Sequence, residues 1–175
     1  MITSRKLLLT SVTVAALSAV GSQAFAAGNT ATTSASASVT VFQPISVTKA
    51  SDLAFGRVIR PSAGNTTTYV VDATNGGASV AGGDGVFTTG GGSVTRAVFN
   101  VNGEGGQGFT IASDASVING GVTINLVKSG ATGTLQGSLG TTGTASFGVG
   151  GNVVLSDTSP TGTKTGSFNV TVTYQ

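Results

Sequence analysis

The 175-residue chain contains no cysteine and no histidine, only 8% of its residues are charged, and 28 are glycine. The missing residue types exclude disulfides and remove the usual zinc ligands, the commonest general base and the strongest protein nucleophile. The low charge and the positive mean hydropathy argue against disorder. These properties favour one ordered domain held together by apolar burial, and they weigh against an enzyme.

The first 26 residues have the pattern of a secretory signal peptide. Two basic residues, Arg5 and Lys6, precede an uncharged stretch from residue 7 to 20, and the segment ends in A-F-A. This stretch is shorter than the ~20 residues that a membrane-spanning helix needs, and its end matches an A-x-A cleavage site. We expect cleavage between Ala26 and Ala27 and export to the periplasm, with the cell surface, a fimbria or the medium as destination.

Loss of the signal peptide changes the charge balance. The whole chain has a net charge of +2, from eight basic and six acidic residues. Arg5 and Lys6 leave with the signal, so the mature net charge is 6 − 6 = 0. The remaining basic residues are scattered singly, whereas phosphate binding needs clustered cations. We therefore exclude nucleic acid as a partner.

The segment after the cleavage site differs from the rest of the chain. Residues 27–38 are almost all alanine, serine and threonine, which are too small to form a core by themselves. Apolar alternation begins at Val39 and runs to Val47, and Pro44 within it marks an edge position or a bulge. The sequence predicts an N-terminal extension over residues 27–38 and a β-domain over residues 39–175.

Further β-like runs follow along this domain. They are short, rich in Val, Thr, Ile and Phe, and separated by Gly, Asn, Asp and Ser. They cover residues 53–59, 66–72, 94–101, 109–112, 122–127, 145–155 and 167–174. No stretch of the mature chain has a helical apolar period. The pattern predicts an all-β sandwich or barrel.

Glycine patterns and carboxylates suggest no catalytic or binding motif. Gly103, Gly105 and Gly108 match the spacing of a dinucleotide fingerprint, but strand-like residues follow instead of a helix, so we predict a hairpin loop. The single G-G-D-G at residues 82–85 lacks the tandem copies of a calcium-binding β-roll and predicts a turn. Nearly all six acids lie beside turns or at strand ends, as solvated loop carboxylates do. We expect no cofactor, no metal site and no catalytic residue.

Two segments carry a resemblance to a known family. Residues 48–56, T-K-A-S-D-L-A-F-G, and residues 166–174, G-S-F-N-V-T-V-T-Y, resemble the secreted bacterial family catalogued as domain of unknown function 4402, from about Val39 to the end. More broadly, the chain resembles subunits of chaperone-usher pili and their spore-coat-like relatives. This resemblance implies an immunoglobulin-like β-sandwich that lacks its last strand. It also implies a periplasmic chaperone and an outer-membrane usher as partners.

The C-terminus fits the pilin pattern of a penultimate aromatic residue, apolar residues at alternate places before it, and a glycine fourteen residues from the end. An ordinary terminal strand alternates in the same way, so alternation alone decides nothing. The cysteine pair of many pilins is absent. The residues at the five places, implied to form the chaperone- or groove-edge strand, are Gly162, Phe168, Val170, Val172 and Tyr174.

The resemblance also implies a donor strand, taken from about residues 32–41. Its candidate groove-filling residues are Ala35, Ala37, Val39 and Val41. At two-residue spacing these side chains would enter the groove of another copy of the chain, and backbone pairing would fix the register. Such a head-to-tail contact does not close and produces a filament. We therefore expect a structural subunit of a fimbria, pilus or other surface assembly.

The alternative is a secreted monomeric adhesin or carbohydrate-binding sandwich, whose site would lie in the glycine-rich loops between Gly76 and Gly92. Sugar sites favour exposed aromatic side chains, and the chain has no tryptophan and only two tyrosines. An enzyme that uses a pair of carboxylates ranks last.

Overall fold

The computed structural model describes residues 30–88 and 90–175, so the expected signal peptide and its cleavage site, Ala26 and Ala27, lie outside the described residues. The chain divides into two units between Val39 and Thr40. All strands described below belong to the second unit, Thr40–Gln175. The predicted domain start at residue 39 is one residue from this division.

The described residues form antiparallel β-strands and no helix, which confirms the predicted all-β class. Within them, no helix is long and apolar enough to cross a membrane. The strands are β1 (Ser46–Ser51), β2 (Ala54–Phe55), β3 (Val58–Ile59), β4 (Thr66–Val71), β5 (Ala78–Ala81), β6 (Val86–Phe87), β7 (Val94–Thr95), β8 (Ala97–Glu104), β9 (Gly108–Ser113), β10 (Ser116–Asn119), β11 (Val122–Lys128), β12 (Thr132–Thr134), β13 (Thr142–Ser156) and β14 (Val170–Tyr174).

The larger sheet is organised around the long strand β13. The first part of β13, from Thr142 to Val149, pairs with β8, and the last part, from Gly151 to Ser156, pairs with β4. β11 pairs with the middle of β13, and β1, β10 and β5 lie outside β8, β11 and β4 respectively. Gly148 lets β13 pass close to a neighbouring loop, because a Cβ there would collide with the carbonyl oxygen of Ala73.

A smaller sheet has the order β12-β9-β14. Two short pairs, β2 with β7 and β3 with β6, complete the described strands. The main apolar cluster takes side chains from the larger sheet and from the sheet β12-β9-β14. These two sheets therefore share one core, as the layers of a sandwich do. Its buried members are Ala97, Phe99, Val101, Phe109, Ile111, Leu135, Phe147 and Val149. The immunoglobulin-like topology stays a prediction.

Several predicted boundaries were wrong. The first strand begins at Ser46 instead of Val39, and the last begins at Val170 instead of residue 167. The run over residues 53–59 is divided at Gly56, whose φ of 63° ends β2. The loop after Glu104 is not a hairpin, because β8 and β9, which it joins, belong to different sheets.

Candidate functional site: the outer edge of the C-terminal strand

Strand β14 is paired on one side only, with β9, among the described residues. The backbone N–H of Asp114 donates to the carbonyl of Asn169, and that of Gln175 donates to the carbonyl of Gly108. These two bonds set the register of the ladder. The backbone N–H and C=O groups of the odd-numbered residues of β14 therefore point toward β9. The backbone N–H and C=O groups of Val170, Val172 and Tyr174 therefore point the other way. We call this side of the strand the β14 edge.

The side chains of the same strand alternate as predicted. Val170, Val172 and Tyr174 are half-buried against the main core cluster, while Thr171 and Thr173 are exposed. Phe168 precedes β14 and packs edge-on against Phe99, with ring centroids 6.2 Å apart. The structure thus brings four of the five C-terminal pattern residues to one apolar face beside unpaired backbone groups.

Gly162 is not part of this arrangement. It lies in the exposed segment before β14, its φ is 93°, and no atom would contact a Cβ built there within 4 Å. This positive φ is by itself a reason for glycine at the position, since other residues rarely adopt that conformation. The structure therefore supplies no groove contact for the glycine of the pilin pattern.

The neighbour of the β14 edge is the start of β1. β1 is the end strand of the larger sheet, and Ile45 and Val47 pack against the same cluster as the apolar face of β14. At one end the two are joined directly, because the Tyr174 hydroxyl donates to the carbonyl of Gln43 at 2.8 Å. The ring of Phe42 meets the Tyr174 ring edge-on, with centroids 6.0 Å apart. The candidate site is the side of the two-sheet stack that lies between β1 and β14.

A buried carboxylate stands behind this junction. Glu104 is only 1% exposed, and its two oxygens accept the backbone N–H groups of Gln43, at 3.1 Å, and of Gly140. The backbone N–H of Glu104 donates to the Tyr174 hydroxyl at 2.6 Å, and Thr142 donates its hydroxyl to the Gln43 side-chain oxygen at 2.9 Å. These five residues form one hydrogen-bonded unit, which we call the Gln43 network.

Sequence reasoning missed Glu104, which it placed among solvated loop carboxylates. The available signal was the pair of flanking glycines. A Cβ at Gly103 would collide with the Tyr174 hydroxyl, and one at Gly105 would lie 2.6 Å from the Ser138 carbonyl oxygen. Both glycines are needed for other chain segments to approach and cover the carboxylate.

The other carboxylates fasten loops. The backbone N–H groups of Thr74 and Asn75 donate to Asp72 at 2.7 and 2.9 Å, and these bonds lower its pKa. Hydrogen bonds from Ser62 lower the pKa of Asp84 in the same way. No group of three acidic side chains that could hold a metal ion occurs in residues 30–88 and 90–175.

The remaining three follow the same pattern. Asp114 accepts the backbone N–H of Asn169 at 2.7 Å, Asp157 accepts that of Gly64 at 2.9 Å, and Asp52 pairs with Lys49. Asp52 and Asp114 are exposed as predicted, whereas Asp157 is half-buried, and their bonds give each of them a structural role.

The candidate donor residues are all exposed. Ala35 and Ala37 are exposed, and Val39 and Val41 are 85% and 79% exposed. None of residues 30–45 is in a strand. In its own molecule, this segment therefore contributes no ladder and no core side chain before Ile45.

The glycine-rich segment from residue 76 to 92 is largely structural where it is described. It contains β5 and β6, and its aromatic residue, Phe87, packs edge-on against Tyr69 with centroids 5.4 Å apart. A Cβ at Gly85 would collide with the hydroxyl of Tyr69, whose pKa is raised by burial and by the charge of Asp84. The described part of the segment presents no exposed aromatic ring to a sugar.

The most family-specific piece, residues 53–56, also has a structural role. Leu53 packs against the main core cluster, and Phe55 packs against a second cluster formed by Tyr69, Val153 and Leu155. Gly56 has a φ of 63°, and a Cβ there would lie 2.9 Å from the Gly92 carbonyl oxygen.

A family model described as Domain of unknown function (DUF4402) matches residues 45–174. No curated protein and no solved structure matches the chain. The matched range runs from just before β1 to the end of β14, so it covers the β-domain and omits the extension.

Proposed function

Since the chain belongs to the family described as Domain of unknown function (DUF4402), whose description states no role, we propose one from the structure. The protein is a structural subunit of a fimbria, pilus or other cell-surface assembly. It polymerises by donor-strand complementation: the extension of one copy pairs with the β14 edge of the next.

The observation that carries this proposal is the β14 edge itself. It offers the outward peptide groups of Val170, Val172 and Tyr174 next to their own half-buried apolar side chains. Unpaired strand edges are templates for added strands, and burial without a partner is costly for backbone polar groups. A strand laid along this edge would pair those groups and cover the apolar face in one step.

The chain supplies a segment with suitable chemistry. Residues 32–41 carry no charge and no proline, and small or β-branched apolar residues alternate with serine and threonine. This segment is exposed and unpaired in its own molecule. Added as a strand, it would place Ala35, Ala37, Val39 and Val41 on one face, and each fully buried valine would contribute about 1.5–3 kcal/mol.

The proposed assembly also implies a localisation and a set of partners. Cleavage between Ala26 and Ala27 would free the extension in the periplasm, where a chaperone would cover the β14 edge until an outer-membrane usher delivers the subunit. Copies of the chain or related subunits are then the final partners, and the filament lies at the cell surface.

Deletion of residues 27–38 tests the proposal. We expect the exported full-length chain to form filaments visible by electron microscopy, and the deletion variant to stay monomeric in sedimentation velocity. A peptide of residues 30–41 should bind the deletion variant with one-to-one stoichiometry. Filaments from the deletion variant would contradict the proposal, as would a full-length protein that stays monomeric at high concentration without a chaperone.

A further inference from the structure

We propose that Glu104 and Tyr174 are positioning residues that prevent the extension from pairing with the β14 edge of its own molecule. They hold Gln43, which follows the extension in the chain, in one extended conformation at the C-terminal end of β14. This inference rests on the proposed function, because a subunit that completes its own edge cannot join a filament.

First, three hydrogen bonds hold Gln43, two through its backbone and one through its side-chain oxygen. Its N–H donates to Glu104 at 3.1 Å, its carbonyl accepts from the Tyr174 hydroxyl at 2.8 Å, and its side-chain oxygen accepts from Thr142 at 2.9 Å. Pro44 follows it, and a residue before proline is restricted to extended conformations. Gln43 is thus fixed by contacts and by covalent geometry together.

Second, two contacts set the direction of β1 along the site. Gln43 contacts Tyr174, at the C-terminal end of β14. Further along β1, Lys49 is paired with Phe99, whose ring contacts Phe168, before the N-terminal end of β14. β1 therefore runs from the Tyr174 end of the site toward the Phe168 end.

It follows that self-pairing needs a reversal. To lie between its own β1 and β14, the chain before Gln43 would have to turn back sharply at residues 41–43 and run antiparallel to β1. The residue before proline favours extended conformations, and an extended Gln43 continues the direction of β1, so Pro44 and the hydrogen bonds of Gln43 together disfavour that turn. A second copy's extension meets no such requirement and can enter the β14 edge freely.

Third, the residues that bind Gln43 are themselves held within the β-domain. Glu104 is almost fully buried, and both its oxygens are bonded to backbone N–H groups. The Tyr174 hydroxyl reaches the backbone only because Gly103 has no side chain. Removal of this hydroxyl leaves the N–H of Glu104 and the carbonyl of Gln43 without these partners.

Tyr174→Phe is the sharpest test, because it keeps the ring and removes only the hydroxyl. Hydrogen exchange of the Val170 and Val172 amides, which face the β14 edge, reports whether a strand is paired there. In the wild-type full-length protein we expect these amides to become protected only as concentration rises and filaments form. In Tyr174→Phe we expect about tenfold slower exchange in the monomer, independent of concentration, and a matching loss of filament.

The controls separate positioning from stability. Tyr69→Phe removes another buried tyrosine hydroxyl, one that donates to the Ile59 carbonyl, and it should lower the melting temperature without protecting these amides in the monomer. Adding the deletion of residues 27–38 to Tyr174→Phe should abolish the monomer's protection. Pro44→Gly, at an exposed position, frees Gln43 without loss of a core contact and should reproduce the Tyr174→Phe result.

The outcomes distinguish the two proposals. If the wild type forms filaments with concentration-dependent protection, and both Tyr174→Phe and Pro44→Gly behave as it does, the positioning role is wrong and donor-strand assembly stands. If the wild-type amides are never protected at any concentration, donor-strand assembly is wrong and the positioning role falls with it.

Discussion

The two edges of the smaller sheet are built differently. β12 has three residues, Thr132-Gly133-Thr134, and its glycine stands against the ring of Phe109, where a side chain would not fit without displacing the ring. β14 has five residues, contains no charge and no proline, and keeps a regular register with β9 throughout. Very short edge strands are one way in which proteins avoid unwanted pairing, and β14 lacks this protection.

The edge of the larger sheet beside β14 is protected in two other ways. β1 carries Lys49, whose side chain is 56% exposed and lies 2.6 Å from the carboxylate of Asp52. Its register with β8 also shifts between Lys49 and Ser51, which marks a bulge. Charges and bulges both disfavour added strands. Of the three edges formed by β1, β12 and β14, only β14 has neither a charge, nor a bulge, nor a very short strand.

The largest effect is expected when proline blocks one edge and spares the other. The backbone N–H of Val172 points outward on β14. That of Thr134 points outward on β12, because residues 131 and 135 on either side of it are bonded to Ile111 and Gln107. Proline at either position removes an outward N–H and leaves the ladder with β9 in place. We expect Val172→Pro to abolish filaments and Thr134→Pro to assemble as the wild type does.

Electron microscopy and sedimentation velocity would measure assembly, and circular dichroism would confirm that both variants are folded. Equal loss of filaments in Thr134→Pro and Val172→Pro would show that the two edges do not differ in function. Full assembly by a folded Val172→Pro variant would remove β14 as the acceptor.

The donor side of the comparison is tested by a charge at Val41. Val41 is 79% exposed in its own molecule, so Val41→Asp should leave the melting temperature unchanged. In the site between β1 and β14 of another copy the carboxylate would be desolvated, at a cost of several kcal/mol, and filaments should be lost.

Thr40→Asp is the matched control, since Thr40 is also exposed and stands on the opposite parity. It should reduce assembly far less. An isolated Val41→Asp domain that unfolds, and that no added donor peptide rescues, would instead place Val41 in the molecule's own structure.

The sequence predicted the parts of this site that depend on local periodicity. The alternation from Phe168 to Tyr174 specified which face of β14 is apolar. Pro44 was predicted to mark an edge position or a bulge in the first strand. It does not interrupt a strand, however, because the residues before it form no ladder and β1 begins only at Ser46.

What the sequence could not predict depends on contacts between distant residues. Glu104 is buried by Gln43, 61 positions away, and the Tyr174 hydroxyl bonds to a carbonyl 131 positions away. No window of local sequence contains these partners. The pairing of β13 with β8, β11 and β4 likewise joins distant parts of the chain. The glycines of β13 indicate only that other segments approach it closely.

A smaller effect is expected from removing the protection of β1. Lys49→Thr deletes the exposed charge and keeps a good strand former at the edge. The Lys49–Asp52 pair is exposed, so its loss should change the free energy of unfolding by no more than about 1 kcal/mol. Light scattering should nevertheless show lateral association at a lower protein concentration than in the wild type. Unchanged association would mean that the bulge alone protects β1.

The smallest effect is expected from acid, and it should spare the β14 edge. The lowered pKa values of Asp72 and Asp84 mean that each carboxylate stabilises the fold above its unfolded-state pKa of about 3.9. That stabilisation is lost as pH falls through the lower, folded-state pKa, because the protonated groups no longer accept the loop N–H bonds as strongly. These two groups should leave the melting temperature unchanged between pH 5 and pH 8. Their protonation should lower it once the pH is below about 4. Asp72→Asn should make the fall shallower while filaments formed at pH 7 keep the wild-type yield. A steep loss of filaments between pH 5 and pH 7 would contradict this expectation.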